Sequence, residues 1–203
     1  AMAGTGGKPT VLLTETISAV TTKNIIAAFL AKQPGSRHIQ YDAISSNGLL
    51  NANAASFGKR AIPSYQFNAA KTIVSLGADF LGTWLSPVEY ARQYAAGRKI
   101  NQKNPEMSKH IQFESMLSLT GANADDRYVH LPSEAGAVAL NIYAALGGAV
   151  AAPALSDDRL KKGIQQAVAS LKASGAASLV VSGSNDANVQ LVVNAINQLL
   201  GAY

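Results

Sequence analysis

Lys71-Thr72-Ile73-Val74-Ser75-Leu76, stopped at once by Gly77-Ala78-Asp79, decides the fold. A short apolar run with β-branched residues, closed by a glycine turn, reads as a strand buried on both faces. Such strands belong to parallel sheets covered by helices. Working backwards, Asn47 to Phe57 reads as a short helix that Gly58 closes. His38 to Asp42 is a strand. Before it, Thr21-Thr22 cap a helix with Ile25, Ile26, Phe29 and Leu30 at helical spacing, ended by Gln33-Pro34-Gly35. Thr10 to Thr14 is the first strand.

Working forwards, Pro87 suits a helix first turn, which Val88 to Ala96 continue. Lys109 to Glu114 is a strand and Arg127 to Leu131 a short extended piece. Pro132-Ser133-Glu134 opens a helix through Leu146. The Gly/Ala/Pro stretch Gly147 to Pro153 reads as a hinge or linker. Asp157-Asp158 starts a helix to about Ala173, with two acids at its positive end. Ser178 to Ser182 is the last strand, and Asp186 leads an amphipathic helix with Val189, Val192, Val193, Ile196, Leu199 and Leu200 on its apolar side. Strands thus alternate with helices throughout. The expected architecture is α/β, a doubly wound, mostly parallel, Rossmann-like sheet. Residues 8–203 read as one domain with the hinge at 147–153. Residues 1–7 read as a linker or cloning remnant, feeding a domain excised from a larger subunit.

Composition narrows the function. The 203 residues are 48% hydrophobic and only 14% charged, which argues for a large core and against disorder. There is no cysteine, so disulfides, cysteine-ligated clusters and cysteine nucleophiles are excluded from these residues. His38, His110 and His130 are far apart and form no metal motif. The net charge of +5 is scattered, and the densest stretch, Arg98, Lys99, Lys103 and Lys109, lacks interleaved aromatics. It reads as a solvated loop or a protein contact, and nucleic acid is not expected. No apolar run reaches membrane-spanning length, so no direct membrane insertion is expected.

In such folds ligands bind beyond the carboxyl ends of the strands. Those ends are Thr14-Glu15, Gly77-Ala78-Asp79, Glu114-Ser115 and Gly183-Ser184-Asn185. Gly4-Thr5-Gly6-Gly7-Lys8 precedes the first strand and runs into Pro9, so it is not placed as a phosphate loop. No G-x-G-x-x-G follows a strand and no G-x-S-x-G elbow exists. Glu15, Asp79 and Glu114 could converge for acid–base work or Mg²⁺, though ordinary turns also require such residues. Phe80 and Trp84 read as packing or partner anchors.

Four stretches carry a family resemblance: Ser56 to Tyr65 (SFGKRAIPSY), Gly77 to Pro87 (GADFLGTWLSP), Asn104 to Ser115 (NPEMSKHIQFES) and Ser118 to Asp125 (SLTGANAD). They resemble the large iron–sulfur subunit of alternative complex III, a bacterial quinol oxidoreductase related to polysulfide reductase, from about Lys8 to Leu200. The resemblance implies the molybdopterin-oxidoreductase-like half of that subunit, with the clusters in the other half. In active molybdenum enzymes of that superfamily, an Asp-Pro-Arg-like turn and a Pro-Gly-Thr-Asp helix start help hold the pterin dinucleotide. Here the corresponding positions read Phe113-Glu114-Ser115 and Leu131-Pro132-Ser133-Glu134. The arginine fork and the glycine's close backbone approach are missing.

The implied function is a non-redox scaffold, without catalytic residues or a cofactor of its own, in a respiratory complex at the periplasmic face of the inner membrane. Its partners would be the cluster-bearing half of the same chain and other subunits, with Trp84, Arg98, Lys99 and Lys103 as contacts. The alternative is a domain that still binds molybdopterin guanine dinucleotide. A pocket of Thr14, Glu15, Gly77, Asp79, Glu114, Ser115, Ser133, Glu134 and Gly183 would then line the cofactor.

Overall fold

The computed structural model describes residues 8–100 and 105–203. Lys103 and Gly4-Thr5-Gly6-Gly7 lie outside the described residues. The chain divides into two compact units, one up to Ser45 and one from Ser46 to Tyr203. Gly147 to Pro153 is irregular chain within the larger unit, where the Asn141 amide donates to Pro153 O at 2.9 Å.

The smaller unit is a single β-α-β turn: β1 (Val11–Thr14), α1 (Val20–Ala31) and β2 (Arg37–Gln40). The two strands pair in parallel, Val11 opposite Arg37 through Thr14 opposite Gln40. α1 starts at Val20, so Thr21 and Thr22 occupy its first turn and do not cap it. Ala19 holds the capping position and offers no side-chain acceptor. Gly35, at φ 74°, supplies the left-handed residue that turns the chain into β2.

The larger unit holds α2 (Asn47–Phe57), β3 (Thr72–Leu76), α3 (Pro87–Arg98), β4 (Lys109–Glu114), α4 (Leu119–Ala122), β5 (Asp126–Val129), α5 (Ala135–Ala145), α6 (Asp158–Ser174), β6 (Ser178–Ser182) and α7 (Ala187–Leu200). Its sheet runs β5-β4-β3-β6 with every pair parallel. The fold is α/β and doubly wound. Alternation along the strands sorts side chains onto two faces. Val74, Leu76, Ile111, Phe113 and Val180 meet α5, α6 and α7 on one face. Ile73 and Val181 meet Phe67, Phe80, Tyr90 and Tyr94 on the other.

Local chemistry explains the helices. α6 buries Leu160, Gly163, Ile164, Ala167, Val168 and Leu171, a spacing of three and four residues that makes one apolar stripe. The Asp157 carboxylate caps it, accepting from the N–H groups of Arg159 at 2.7 Å and Leu160 at 3.2 Å. Pro132–Glu134 forms a short 3-10 turn leading into α5. Glu134 reaches back to accept from the Leu131 N–H at 2.8 Å.

α7 departs from the expected stripe. Leu199 is half exposed, whereas Gln190, Asn194 and Asn197 are buried. Gln190 and Asn197 are buried because β6 is an edge strand, and an unpaired edge needs partners. Asn197 supplies both. Its Oδ1 accepts from the Val180 N–H at 3.0 Å, and its Nδ2 donates to Val180 O at 2.8 Å. Gln190 Nε2 donates to Ser182 O and Ser184 O. Asn194 ties α7 to Asn53 and Ser56 of α2. Gln190 and Asn197 finish the sheet with side chains where a fifth strand would sit. Asn197→Leu should therefore cost about 2 kcal/mol, because it leaves two buried backbone groups unpaired. Urea unfolding would measure this, and a loss under about 0.5 kcal/mol would mean that solvent satisfies the edge.

Candidate functional site

Chain order places the topological switch point of the larger sheet between β3 and β6. From β3 the chain moves outward to β4 and β5, then returns to β6 on the other side. A ligand crevice is expected there, beyond the strands' carboxyl ends. Gly77 and Gly183, both expected at a pocket, meet at that place. Gly77 takes φ 68° and donates its N–H to Phe113 O at 2.7 Å, while the Gly183 N–H donates to Leu76 O at 3.0 Å. A Cβ on Gly183 would overlap the Gly77 carbonyl oxygen and lie 2.8 Å from its carbon. The two loops are thus in backbone contact where β3 and β6 end. Beside them, Gly48 at the start of α2 donates its N–H to Asn185 Oδ1 at 2.8 Å, again in a space that no side chain could share.

Asp79 and Glu114 are brought to one short element, α4, that periodicity did not reveal. Asp79 Oδ1 accepts from the Thr120 N–H at 3.1 Å and the Thr120 hydroxyl at 2.8 Å, and Oδ2 accepts from Thr83 at 3.1 Å. Thr120 Oγ1 in turn accepts from the Leu81 N–H at 2.9 Å. Glu114 is only 3% exposed. It accepts from the Ser118 hydroxyl at 2.6 Å, the Ser118 N–H at 3.3 Å, Gln112 Nε2 at 3.2 Å and Arg127 Nε. Ser118 also caps α4, accepting from the Gly121 N–H at 2.9 Å. A Cβ on Gly121 would overlap the Glu114 carboxylate. Burial works to raise the Glu114 pKa, but the bonds from Arg127 and Ser118 outweigh it and hold the carboxyl below its usual value.

Behind Glu114 runs a buried polar row on the same face of β4. Gln112 Oε1 lies 3.3 Å from His110 Nε2, and His110 Nδ1 lies 3.1 Å from the Tyr94 hydroxyl. The Tyr94 hydroxyl also lies 3.0 Å from Asn123 O. Burial drives the His110 pKa down to about 4, so the imidazole is neutral at pH 7.

The remaining expected residues are dispersed. Thr14 and Glu15 belong to the smaller unit, where Thr14 Oγ1 donates to Glu15 O at 2.7 Å and lies 2.8 Å from His38 Nε2. Ser115 is half-buried beside Glu114, Ser133 is exposed, and Glu134 serves the Leu131 N–H. Trp84 packs against Tyr65 with ring centres 5.1 Å apart, and Phe80 stacks on Phe67 at 4.4 Å. Arg98 is turned inward. Its guanidinium forks onto Asp125 at 2.6 and 2.9 Å, donates to Ser108 O at 2.7 Å and lies over the Tyr94 ring. Its charge is neutralised within the fold, whereas Lys99 is exposed. Ser118, Thr120 and Arg127 are the site residues that sequence reading missed. The signal available was Ser118 three residues before Gly121, a cap without a long helix behind it.

The arrangement does not fit a pyrophosphate-bearing cofactor. Such a ligand needs free backbone N–H groups and an unpaired cation at the switch point. Here Arg127 faces Glu114, the Thr120 and Ser118 N–H groups face carboxylates, and the loops touch. Among the described residues, no cluster of histidine, aspartate and glutamate could hold a metal ion. No described helix is long and apolar enough to cross a membrane. Fold and site together define a parallel α/β domain whose switch-point edge is built from internal hydrogen bonds. Neither a protein-family model nor a curated protein matches the chain.

Proposed function

We propose that this chain is an architectural, non-redox domain of a respiratory quinol oxidoreductase, in the large iron–sulfur subunit of the alternative complex III type. The sequence resemblance supplies the family, and one observation carries the scaffold role. Asp79 and Glu114, the acids best placed for chemistry at the strand ends, are both committed to α4 and its neighbours. A carboxylate that accepts from Arg127, Ser118 and Gln112 together is a fastener, because breaking any of these leaves a buried donor or charge unpaired. The domain would support a cluster-bearing half and neighbouring subunits at the periplasmic face of the inner membrane, offering surface residues such as Lys99 for contact. Electrons would travel through clusters outside these residues.

The test is metal and pterin analysis of the full-length subunit purified from its native host. Iron without molybdenum, tungsten or pterin is the expected result. Molybdenum or tungsten near one per chain, with a fluorescent pterin after oxidation, would overturn the scaffold role and make the strand-end residues a cofactor site.

A further inference from the structure

A cavity in the bigger unit lies away from the carboxyl strand ends of the sheet. It has a volume of about 560 Å³ and sits where the first residues of β6 meet the ends of α2 and α7. That is within the range of small-molecule sites, roughly 300–1,000 Å³. Its walls are mainly apolar and aromatic. Phe57 and Tyr203, which are 46% and 67% exposed at its rim, form an edge-to-face pair with centres 5.0 Å apart, and Tyr65, packed on Trp84 and Tyr90, also lines it. Leu179 and Val193 complete the apolar lining.

Its polar groups are few, and most are already used. Asn197 is spent on Val180, Asn53 Nδ2 donates to Ala61 O at 2.8 Å, and Asn53 Oδ1 accepts from Asn194. Gln66 donates to Ser64 at 3.2 Å. Three lining groups keep donors without a protein acceptor among the described residues: the Tyr65 hydroxyl, the Ser64 hydroxyl and the Lys59 ammonium, which is exposed to solvent. Burial raises the Tyr65 pKa, so its phenol stays a donor. No aspartate or glutamate lines the cavity. Donors without acceptors, one positive charge and aromatic walls call for one kind of guest. It is flat, to lie among the rings, and carries an anionic acceptor, to meet lysine and phenol.

We infer that this cavity is a binding site for a planar aromatic carboxylate, with Phe57, Tyr65 and Tyr203 holding the ring and Lys59 and the Tyr65 hydroxyl holding the carboxylate. The inference is independent of the scaffold role, since the cavity and the strand-end site share no residue.

The probe is 2-naphthoate, titrated into the 203-residue chain and followed by two-dimensional ¹H–¹⁵N NMR. Saturable one-to-one binding is expected at a Kd of about 0.1–1 mM, a modest value for so small a ligand. Shifts should concentrate at Ala177 to Val180 and at Tyr203. 2-Naphthylmethylamine, of the same shape and opposite charge, should bind at least about tenfold more weakly. Lys59→Glu should reverse that order, and Tyr65→Phe should weaken naphthoate several-fold with the ring contacts kept. The same spectra show whether each variant is folded. No saturation at millimolar naphthoate, shifts elsewhere, equal binding of the amine, or a preference indifferent to Lys59→Glu would each overturn the assignment.

Discussion

Gly183→Ala is expected to lower the unfolding free energy by about 3 kcal/mol, the upper end of the usual range for one added methyl group. The size follows from what the new Cβ would meet. Its neighbours are the Gly77 carbonyl and, at 3.0 Å, the Ala78 Cα, all backbone atoms that no rotamer change can clear. Neither loop is free to retreat. Moving Gly77 strains its bond to Phe113 O, and moving Gly183 strains its bond to Leu76 O. Gly136→Ala is the control. There the nearest atom to the new Cβ is Val189 Cγ2 at 3.8 Å, an ordinary contact, and Gly136 lies in α5. Alanine should stabilise that helix by up to about 1 kcal/mol. Urea unfolding of both variants makes the comparison. A loss under about 1 kcal/mol for Gly183→Ala would mean that the loops at the switch point stand apart.

The sheet was the most legible part of the chain, for a physical reason. β3, β4 and β6 are buried along most of their length, and a strand covered on both faces must be a short run bounded by turn residues. Lys109 to Glu114 and Ser178 to Ser182 read from sequence with the ends they have in the fold. The helix stop at Gly58 and the helix start at Asp157-Asp158 were legible because backbone geometry and the helix's positive end are local demands, while the capping bonds of Asp157 came only with the structure. What escaped was polar. His110, Gln112 and Glu114 alternate with Ile111 and Phe113, a pattern that announces two faces but not which is wet; here both are dry. Asn197 looks like a solvent face of α7 until β6 is known to be an edge strand, and Asn194 does so until α2 is known to pack alongside. Likewise, Asp79 and Glu114 were recognisable as strand-end acids, but their partners come from α4 and β5. Four residues of α4 are too few for any periodic signal.

The second large effect is a loss of stability in mild acid, traced to His110. The imidazole is fully buried on β4 between the Tyr94 and Phe80 rings. Burial pushes its pKa from 6.5 to about 4, and the positive Arg98 works in the same direction. The hydrogen bond to Gln112 and the negative Asp125 and Glu114 oppose this without restoring it. The unfolded chain therefore binds this proton more readily than the folded one. Between the two pKa values the unfolded state carries more protons, so stability rises with pH and falls on acidification. The loss begins near pH 6.5 and is complete near pH 4, for a total of about 3 kcal/mol. Glu114 and Asp125 act in a lower window. Burial works to raise both carboxyls, but hydrogen bonds led by Arg127 for one and Arg98 for the other hold them below their usual values. Their contribution is present above the unfolded carboxylate pKa, near 4, and disappears as pH drops through the folded values. His110→Gln separates the windows, because glutamine keeps a neutral polar side chain at that position and cannot take up a proton. In urea titrations from pH 7 to pH 3, the wild-type midpoint should fall steadily below pH 6.5, while the variant's should stay level until about pH 4 and then fall. Parallel curves for the two proteins would mean that His110 is charged or hydrated in the folded state. The buried row from Tyr94 to Ser118 would then be an open, solvated channel and not the dry fastener that the scaffold role needs.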